Sequence, residues 1–324
     1  MRTMRHRLTG ILLTIIALAL GVATGPTWSQ EAYPTKPVEL VIPFAAGGSH
    51  DLHARVIAGF AQQSLGQPLV VLLKPGGGGA IASQFVIKAR GDGYTLLFGS
   101  NGPNTILPQV QDVGYKMREF TPVCMINYSP PLLFVGANAP WRTLAEFIEF
   151  SKANPGKVNF AHTGIWGAAH FPMLIAESKT GAKVNFVPFD GGGPALLAVA
   201  SGNADASFGF AAQLLPFVQA GRVRVLGVAA PERIETVRDT PTFRELGVDV
   251  TFTLWRTILA PSTTPPLRMR TLRQACAKIV QDPSFRALIR QLGEPLIYMD
   301  GPDFLTFWRN EWDDVARTLA TIRR

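Results

Sequence analysis

The sequence predicts an α/β fold in two lobes, each an open, mainly parallel sheet flanked by helices. Three observations predict it. A strand, a glycine-rich loop and a helix recur twice in succession, over Val38 to Phe60 and Leu69 to Ala89, and the same series restarts after Trp141. About 295 residues follow an N-terminal leader, more than one ordinary domain of ~100 to 200 residues holds.

The leader is read first. Met1 to Arg7 holds three Arg, Leu8 to Ala23 is almost wholly apolar, and Thr27 and Ser29 are small residues at the −3 and −1 positions. Residues 1–29 therefore read as a secretory signal peptide cleaved near Gln30, and no stop-transfer segment follows, so the mature chain is expected to be soluble and exported. Setting those three Arg aside leaves 28 basic against 23 acidic residues, a net charge of +5, with no Lys/Arg cluster of five. That pattern argues against nucleic acid; it fits an anionic small molecule and a scattered, solvated surface equally well.

In the first unit the β-branched run Val38 to Ile42 is a buried strand, and Ala45-Ala46-Gly47-Gly48 turns tightly into a helix. Ser49 and Asp51 suit the helix start, and Leu52, Val56 and Phe60 recur at helical spacing. Such a loop gathers free N–H groups and a positive helix end at one spot, which attracts an anion. Gln67-Pro68 breaks the helix, Leu69 to Leu73 is the second strand, and Gly76 to Gly79 leads to a helix over Ile81 to Ala89. Tyr94 to Phe98 is a third strand, followed by the polar loop Gly99 to Asn104.

Phe120 to Ile126 and Leu132 to Gly136 are strand-like, with Pro130-Pro131 marking a crossing between lobes. Thr143 and Glu146 form a capping box before a helix carrying Phe147 and Phe150. Val158 to Ala161 is a strand, His162 to Gly167 a loop, and the next helix ends at Thr180 with Gly181 as terminator. After the strand Val184 to Val187, Gly191 to Gly193 leads to a helix with Pro194 at its first position and Gly202 at its end. Ala206 to Phe210 and Val223 to Ala229 supply two strands, and Thr251 to Ala260 a return strand. Helices over Pro266 to Val280, Phe285 to Leu292 and Pro302 to Arg323 close the chain. The expected division is residues 30–131 and 252–324 in one lobe and 132–251 in the other.

Five glycine loops fall at the carboxyl ends of these strands, at 45–48, 76–79, 99–102, 164–167 and 191–193, the end at which open α/β sheets bind ligands. None carries G-x-G-x-x-G or G-x-x-x-x-G-K-[ST], which disfavours a dinucleotide cofactor or nucleoside triphosphate. His50, His53, His162 and His170 share no metal-ligand spacing, so no metal is expected; His53 and His170 read as structural, and His50 and His162 as donors to a carboxylate. No G-x-S-x-G turn occurs, so Ser49, Ser100 and Thr163 read as caps or hydrogen-bond donors and no enzyme is expected. Phe44, Trp166, Phe189, Phe210 and Trp255 are candidate pocket walls, with Phe44, Trp166 and Phe189 favoured by adjacent glycine loops. Cys124 and Cys276 are the only cysteines. An oxidising compartment permits a bond between them, while an apolar strand and an amphipathic helix also suit two buried thiols.

Pro43-Phe44-Ala45-Ala46-Gly47-Gly48 with Asp51, Gly66-Gln67-Pro68-Leu69-Val70-Val71, Gly76 to Gly79, Asp92-Gly93-Tyr94-Thr95-Leu96-Leu97, Lys152-Ala153-Asn154-Pro155-Gly156-Lys157 and Asp239-Thr240-Pro241-Thr242 occur in that order. The series resembles the substrate-binding proteins of tripartite tricarboxylate transporters, the Bug or TctC type. The resemblance implies a periplasmic Venus flytrap of the type 2 binding-protein fold that closes on a small carboxylate and hands it to the permease subunits, with no catalysis and no cofactor. A membrane sensor kinase reading the closed form is the alternative partner. The ligand residues it implies are Phe44, Ala46, Gly47, Gly48, Ser49, His50 and Asp51 in the first loop and Ser100 and Asn101 in the third; Gly78, in the second glycine loop, is a further candidate. The opposing lobe adds His162, Thr163, Gly164, Trp166 and Gly167; Phe189 and Asp190, beside the glycine loop 191–193, are candidates from their position. Three positions depart from the family pattern: Gly164-Ile165-Trp166-Gly167 where Gly-x-Gly-Ser is common, Asp190 where Lys or Arg often stands, and Gly209 where Asp often stands. The indole and Phe44 are expected to favour a bulky or aromatic carboxylate over a small dicarboxylate.

Overall fold

The structure, a computed structural model, describes residues 32–322; the expected signal peptide and its cleavage point near Gln30 lie outside the described residues. The elements run β1 (Val38–Ile42), α1 (Ser49–Leu65), β2 (Leu69–Leu73), α2 (Ala80–Ile87), β3 (Thr95–Gly99), α3 (Leu107–Val110), β4 (Phe120–Ser129) and β5 (Leu132–Gly136). They continue α4 (Leu144–Ala153), β6 (Asn159–His162), α5 (Phe171–Thr180), β7 (Asn185–Pro188), α6 (Gly192–Ser201), β8 (Ala206–Gly209), α7 (Ala211–Gln219) and β9 (Val223–Val228). The last are β10 (Leu254–Pro261), α8 (Pro266–Gln281), α9 (Pro283–Gln291), β11 (Met299–Asp300) and α10 (Gly301–Ile322).

Two sheets form, a six-stranded one in the order β11-β4-β10-β3-β1-β2 and a five-stranded one in the order β7-β6-β8-β5-β9. Two open α/β lobes result, as expected, but each sheet is mixed. β1 runs parallel to β2 and β3, and β6 parallel to β7 and β8, because helices cross back between them. β10 runs antiparallel to β3 and β4, and β5 antiparallel to β8 and β9. These antiparallel strands are where the chain changes sheets: Pro130-Pro131 separates β4 from β5, and β10 returns the chain to the first sheet. Pro lacks an N–H for a ladder, so the pair ends one sheet before the next begins.

Local signals set most helix ends. Gly66, Gly181 and Gly202 close α1, α5 and α6 in the left-handed region, at φ of 85°, 77° and 79°. Thr143 Oγ1 accepts from Glu146 N–H at 3.1 Å, while Glu146 reaches Arg142 N–H instead of closing the box on Thr143. α6 starts two residues before Pro194, at Gly192. The buried seam of α1 is His53, Ala54, Ile57, Ala61 and Leu65, and the expected Leu52, Val56 and Phe60 stripe lies half-buried beside it. Phe60 has its own partner there, an edge-to-face contact with Phe285 of α9.

α10 ties the lobes together. Its Phe304 and Trp308 join the first-lobe core with Trp255, and its Val315 and Leu319 join the second-lobe core with Phe171 and Phe252. Trp255, a candidate pocket wall, is thus a core residue, its indole N–H held by Glu311 at 2.6 Å. Cys124 of β4 and Cys276 of α8 form a disulfide. Among the described residues no helix is long and apolar enough to cross a membrane.

Candidate functional site

The carboxyl ends of the parallel strands face each other across the cleft, and the lobes meet backbone to backbone. Ala45 N–H donates to Asp190 O at 2.9 Å. Glycines allow this approach: a Cβ on Gly164 would lie 2.5 Å from Gly78 Cα, and one on Gly193 would lie 2.2 Å from Ala46 O. In this closed arrangement the glycine loops therefore work as contact surfaces as well as sources of amides.

Behind the contact lies a cavity of about 30 Å³. Of the expected ligand residues, Phe44, Gly48, Ser49, His50, Ser100 and Thr163 line it. Sequence reading missed Phe208, Gln213 and Leu254; Gly209, named only as a departure from the family pattern, and Phe210, foreseen as a wall, line it too. One polar sign was available, since Gln213 interrupts the apolar run Ala211 to Leu215.

The remaining candidates sit elsewhere. Asp51 braces the first loop, with Oδ2 accepting from Gly47 N–H at 3.0 Å and Oδ1 paired to Arg55 at 2.8 Å. Ala46 and Gly47 face Gly193, Gly78 faces Gly164, and Gly167 faces Gly102. Asn101 Nδ2 donates to Thr253 O and to Glu311. Phe189 and Asp190 border the outer groove with Ile165 and Gly78. Trp166 does not line the cavity: at a φ of 62°, it packs edge-on against His170 and tilted against Phe171. His170 is structural, its Nδ1 accepting from Trp166 N–H at 3.2 Å. His162 is buried beside it, its ring 4.8 Å from that of His170. The third loop runs directly into a π-helical turn, Gly102–Ile106, with Asn101 immediately before it.

The electrostatics of the cavity are set from below. Arg256, inside the apolar strand β10 and fully buried, donates to Glu294 Oε2 at 2.7 Å and to Asn127 Oδ1 at 3.0 Å, and bonds Ser49 Oγ. Glu294 also accepts from Ser129 Oγ at 2.7 Å, from Ser49 Oγ at 2.9 Å and from Ala212 N–H of the other lobe at 3.1 Å. Burial pushes the Glu294 carboxyl up, and Arg256 with these donors outweighs it, holding the pKa at about 2. The Ser49 hydroxyl, expected as a ligand donor, is thus spent on this hub, and its backbone N–H remains on the cavity side, donating to Gln213 Oε1. His50 packs edge-on between Phe44 and Phe98, and burial holds its pKa well below 6.5, so a neutral imidazole faces the cavity.

Acid should weaken the fold. Burial lowers His53 to about 4 and His170 to about 3, whereas in the unfolded chain both titrate near 6.5. Between those limits the unfolded state binds more protons, so stability falls as pH falls. Glu311 opposes this, since burial raises it to about 7 from 4.5 and its contribution declines as pH rises across that range. His50 and His162 are lowered in the same direction, so the histidines together outweigh the one carboxyl and stability falls as pH drops from 6.5 to 4.5. Urea midpoints at the two pH values check it, and a higher midpoint at pH 4.5 would contradict it.

The two lobes and the cleft between them define a solute-binding protein. Residues 53–323 match the family model described as the tripartite tricarboxylate transporter family receptor. The chain belongs to that family, whose members are periplasmic receptors and not enzymes. Protein BugT of Bordetella pertussis is 34% identical over 261 residues, covering 79% of this chain and 80% of that protein. The periplasmic binding protein BugD superposes with a TM-score of 0.85 at 26% identity, over 90% of this chain and 98% of that one. MatC from Rhodopseudomonas palustris with bound malate gives a TM-score of 0.81 at 28% identity, over 87% and 99% of the two chains. An R. palustris protein with adipate gives 0.83 at 28% identity, over 90% and 98%. Among the described residues no group of three or more His, Cys, Asp and Glu is placed to hold a metal.

Proposed function

We propose that the chain binds a small organic carboxylate in the cleft between the lobes and delivers it to the permease of a tripartite tricarboxylate-type transporter. The observation that carries this reading is the convergence of the α1 start at Ser49, the neutral His50, Ser100 and Thr163 on one cavity between the lobes. A helix start with uncharged donors suits a single carboxylate group. The malate and adipate held by the R. palustris relatives support that ligand class. Among the described residues, nothing distinguishes a sensor kinase as the reader of the closed form.

In this reading the two sheets turn against each other about the two chain crossings and about α10, whose Val315 and Leu319 stay with the second-lobe core. A volume of about 30 Å³ holds little beyond water, so the acid enters with the lobes further apart. Phe44, Phe208, Phe210 and Leu254 give the cavity an apolar wall, which favours an acid with an apolar body, such as adipate or an aromatic acid, over a compact hydroxy acid. Trp166 adds nothing to that preference.

Thermal shift and calorimetry with adipate, benzoate, succinate and malate test the proposal. A binding acid at a hundred times its Kd adds about 2.7 kcal/mol and raises Tm by ~5 °C or more, with adipate or benzoate leading. No shift with any of the four overturns the carboxylate site, and malate or succinate leading overturns the apolar-body preference.

A further inference from the structure

Gln213 lies near the start of α7 and is 5% exposed. Its Oε1 accepts from Ser49 N–H at 2.9 Å, in the first turn of α1 across the cleft, and its Nε2 donates to Gly192 O at 3.2 Å. Two glycines make room for the amide: a Cβ on Gly192 would lie 2.5 Å from Oε1, and one on Gly209 would lie 3.1 Å from Nε2. Around it, His50 Nε2 and Ser100 Oγ are buried without hydrogen-bond partners in residues that line the same cavity. Two unpaired polar groups beside a helix start call for an oxygen ligand. An amide oxygen satisfies a helix-start N–H as a carboxylate oxygen does, but more weakly, because it lacks full charge.

We infer that Gln213 is a tethered stand-in for the ligand carboxylate. Its amide oxygen holds the anion position at the start of α1, so the lobes close on Gln213 itself, and an entering acid displaces it. This rests on the reading of the cleft as a carboxylate site. The contact has a counterpart in the opposite direction, where Glu294 of the first lobe accepts from Ala212 N–H at the start of α7. Each lobe thus caps a helix of the other. Gln213 is thereby an affinity-setting residue: molecules closed on their own amide do not admit the acid, and apparent affinity drops by the fraction so closed.

Small-angle scattering without added acid and calorimetry with adipate and malate test this on wild type, Gln213→Met and Gln213→Ala. Methionine keeps the volume and removes the acceptor; far-UV circular dichroism and urea midpoints verify that both variants fold. Both should enlarge the scattering radius without acid, by lowering the closed-to-open ratio about fivefold, and Gln213→Ala should bind acid about fivefold tighter, the factor for one net hydrogen bond. An unchanged radius in both variants overturns the inference, as does weaker acid binding by Gln213→Ala, which would make Gln213 an ordinary ligand contact. If neither acid binds wild type while both variants expand it, the choice of ligand class fails and the closing role of Gln213 stands.

Discussion

Replacing Arg256 by alanine is expected to cost about 3–5 kcal/mol, the range for removing one partner of a buried ion pair. Arg256 and Glu294 are both buried, and the guanidinium is the nearest positive charge to a carboxylate held at about 2. Without it, Glu294 keeps hydrogen bonds from Ser129, Ser49, Asn127 and Ala212, and the one other group able to carry a positive charge beside it is the buried imidazole of His53, 3.6 Å away. Glu294 or His53 must then take up a proton, or the carboxylate remains as an unpaired ion, and each route destabilises the fold. The companion variant Arg256→Met with Glu294→Gln removes both charges and should recover much of the loss. Urea unfolding of both proteins decides it: a cost below about 1 kcal/mol for Arg256→Ala would show that the pair is solvated in solution. Because Glu294 also caps α7 of the other lobe, the single variant should loosen closure as well.

How far residues could be read depended on whether their partners are local in sequence. The strand, glycine loop and helix units are local patterns, and each appears where expected, with Gly66, Gly181 and Gly202 ending their helices. The start of α1 and Ser100 were legible as cavity residues for the same reason. Trp166 was misplaced because adjacency to a glycine loop does not fix side-chain direction; its φ of 62° turns the indole onto His170 and Phe171. Asp51 resembles a ligand residue in sequence, yet it braces its own loop. The hub was hidden for a different reason. Arg256 and Glu294 stand 38 residues apart, and both meet Ser49, more than 200 residues upstream. Only the presence of a charge in the apolar run Leu254 to Ala260, and of an amide in Ala211 to Leu215, marked Arg256 and Gln213 as residues needing partners.

The disulfide is the second place where a large effect is expected. Cys124 and Cys276 are 152 residues apart, and the loop they close contains every strand of the second sheet. Cross-linking so long a loop removes much of the freedom of the unfolded chain, about 5 kcal/mol in the chain-entropy account, and removal of native bonds typically costs about 2–5 kcal/mol. Both cysteines belong to the first lobe, in β4 and α8, so the bond fastens the lobe across the point where the chain leaves it and returns. Its native Cα–Cα distance of 6.6 Å falls within the range that disulfides span. Replacing Cys124 and Cys276 together by alanine should therefore lower the urea midpoint and Tm markedly, as should reduction of the wild type. Neither cysteine lines the cavity, so acid affinity measured well below the new Tm should stay within about twofold of wild type. A change in stability below about 1 kcal/mol would mean that the reduced, unfolded chain keeps the two segments together without the bond.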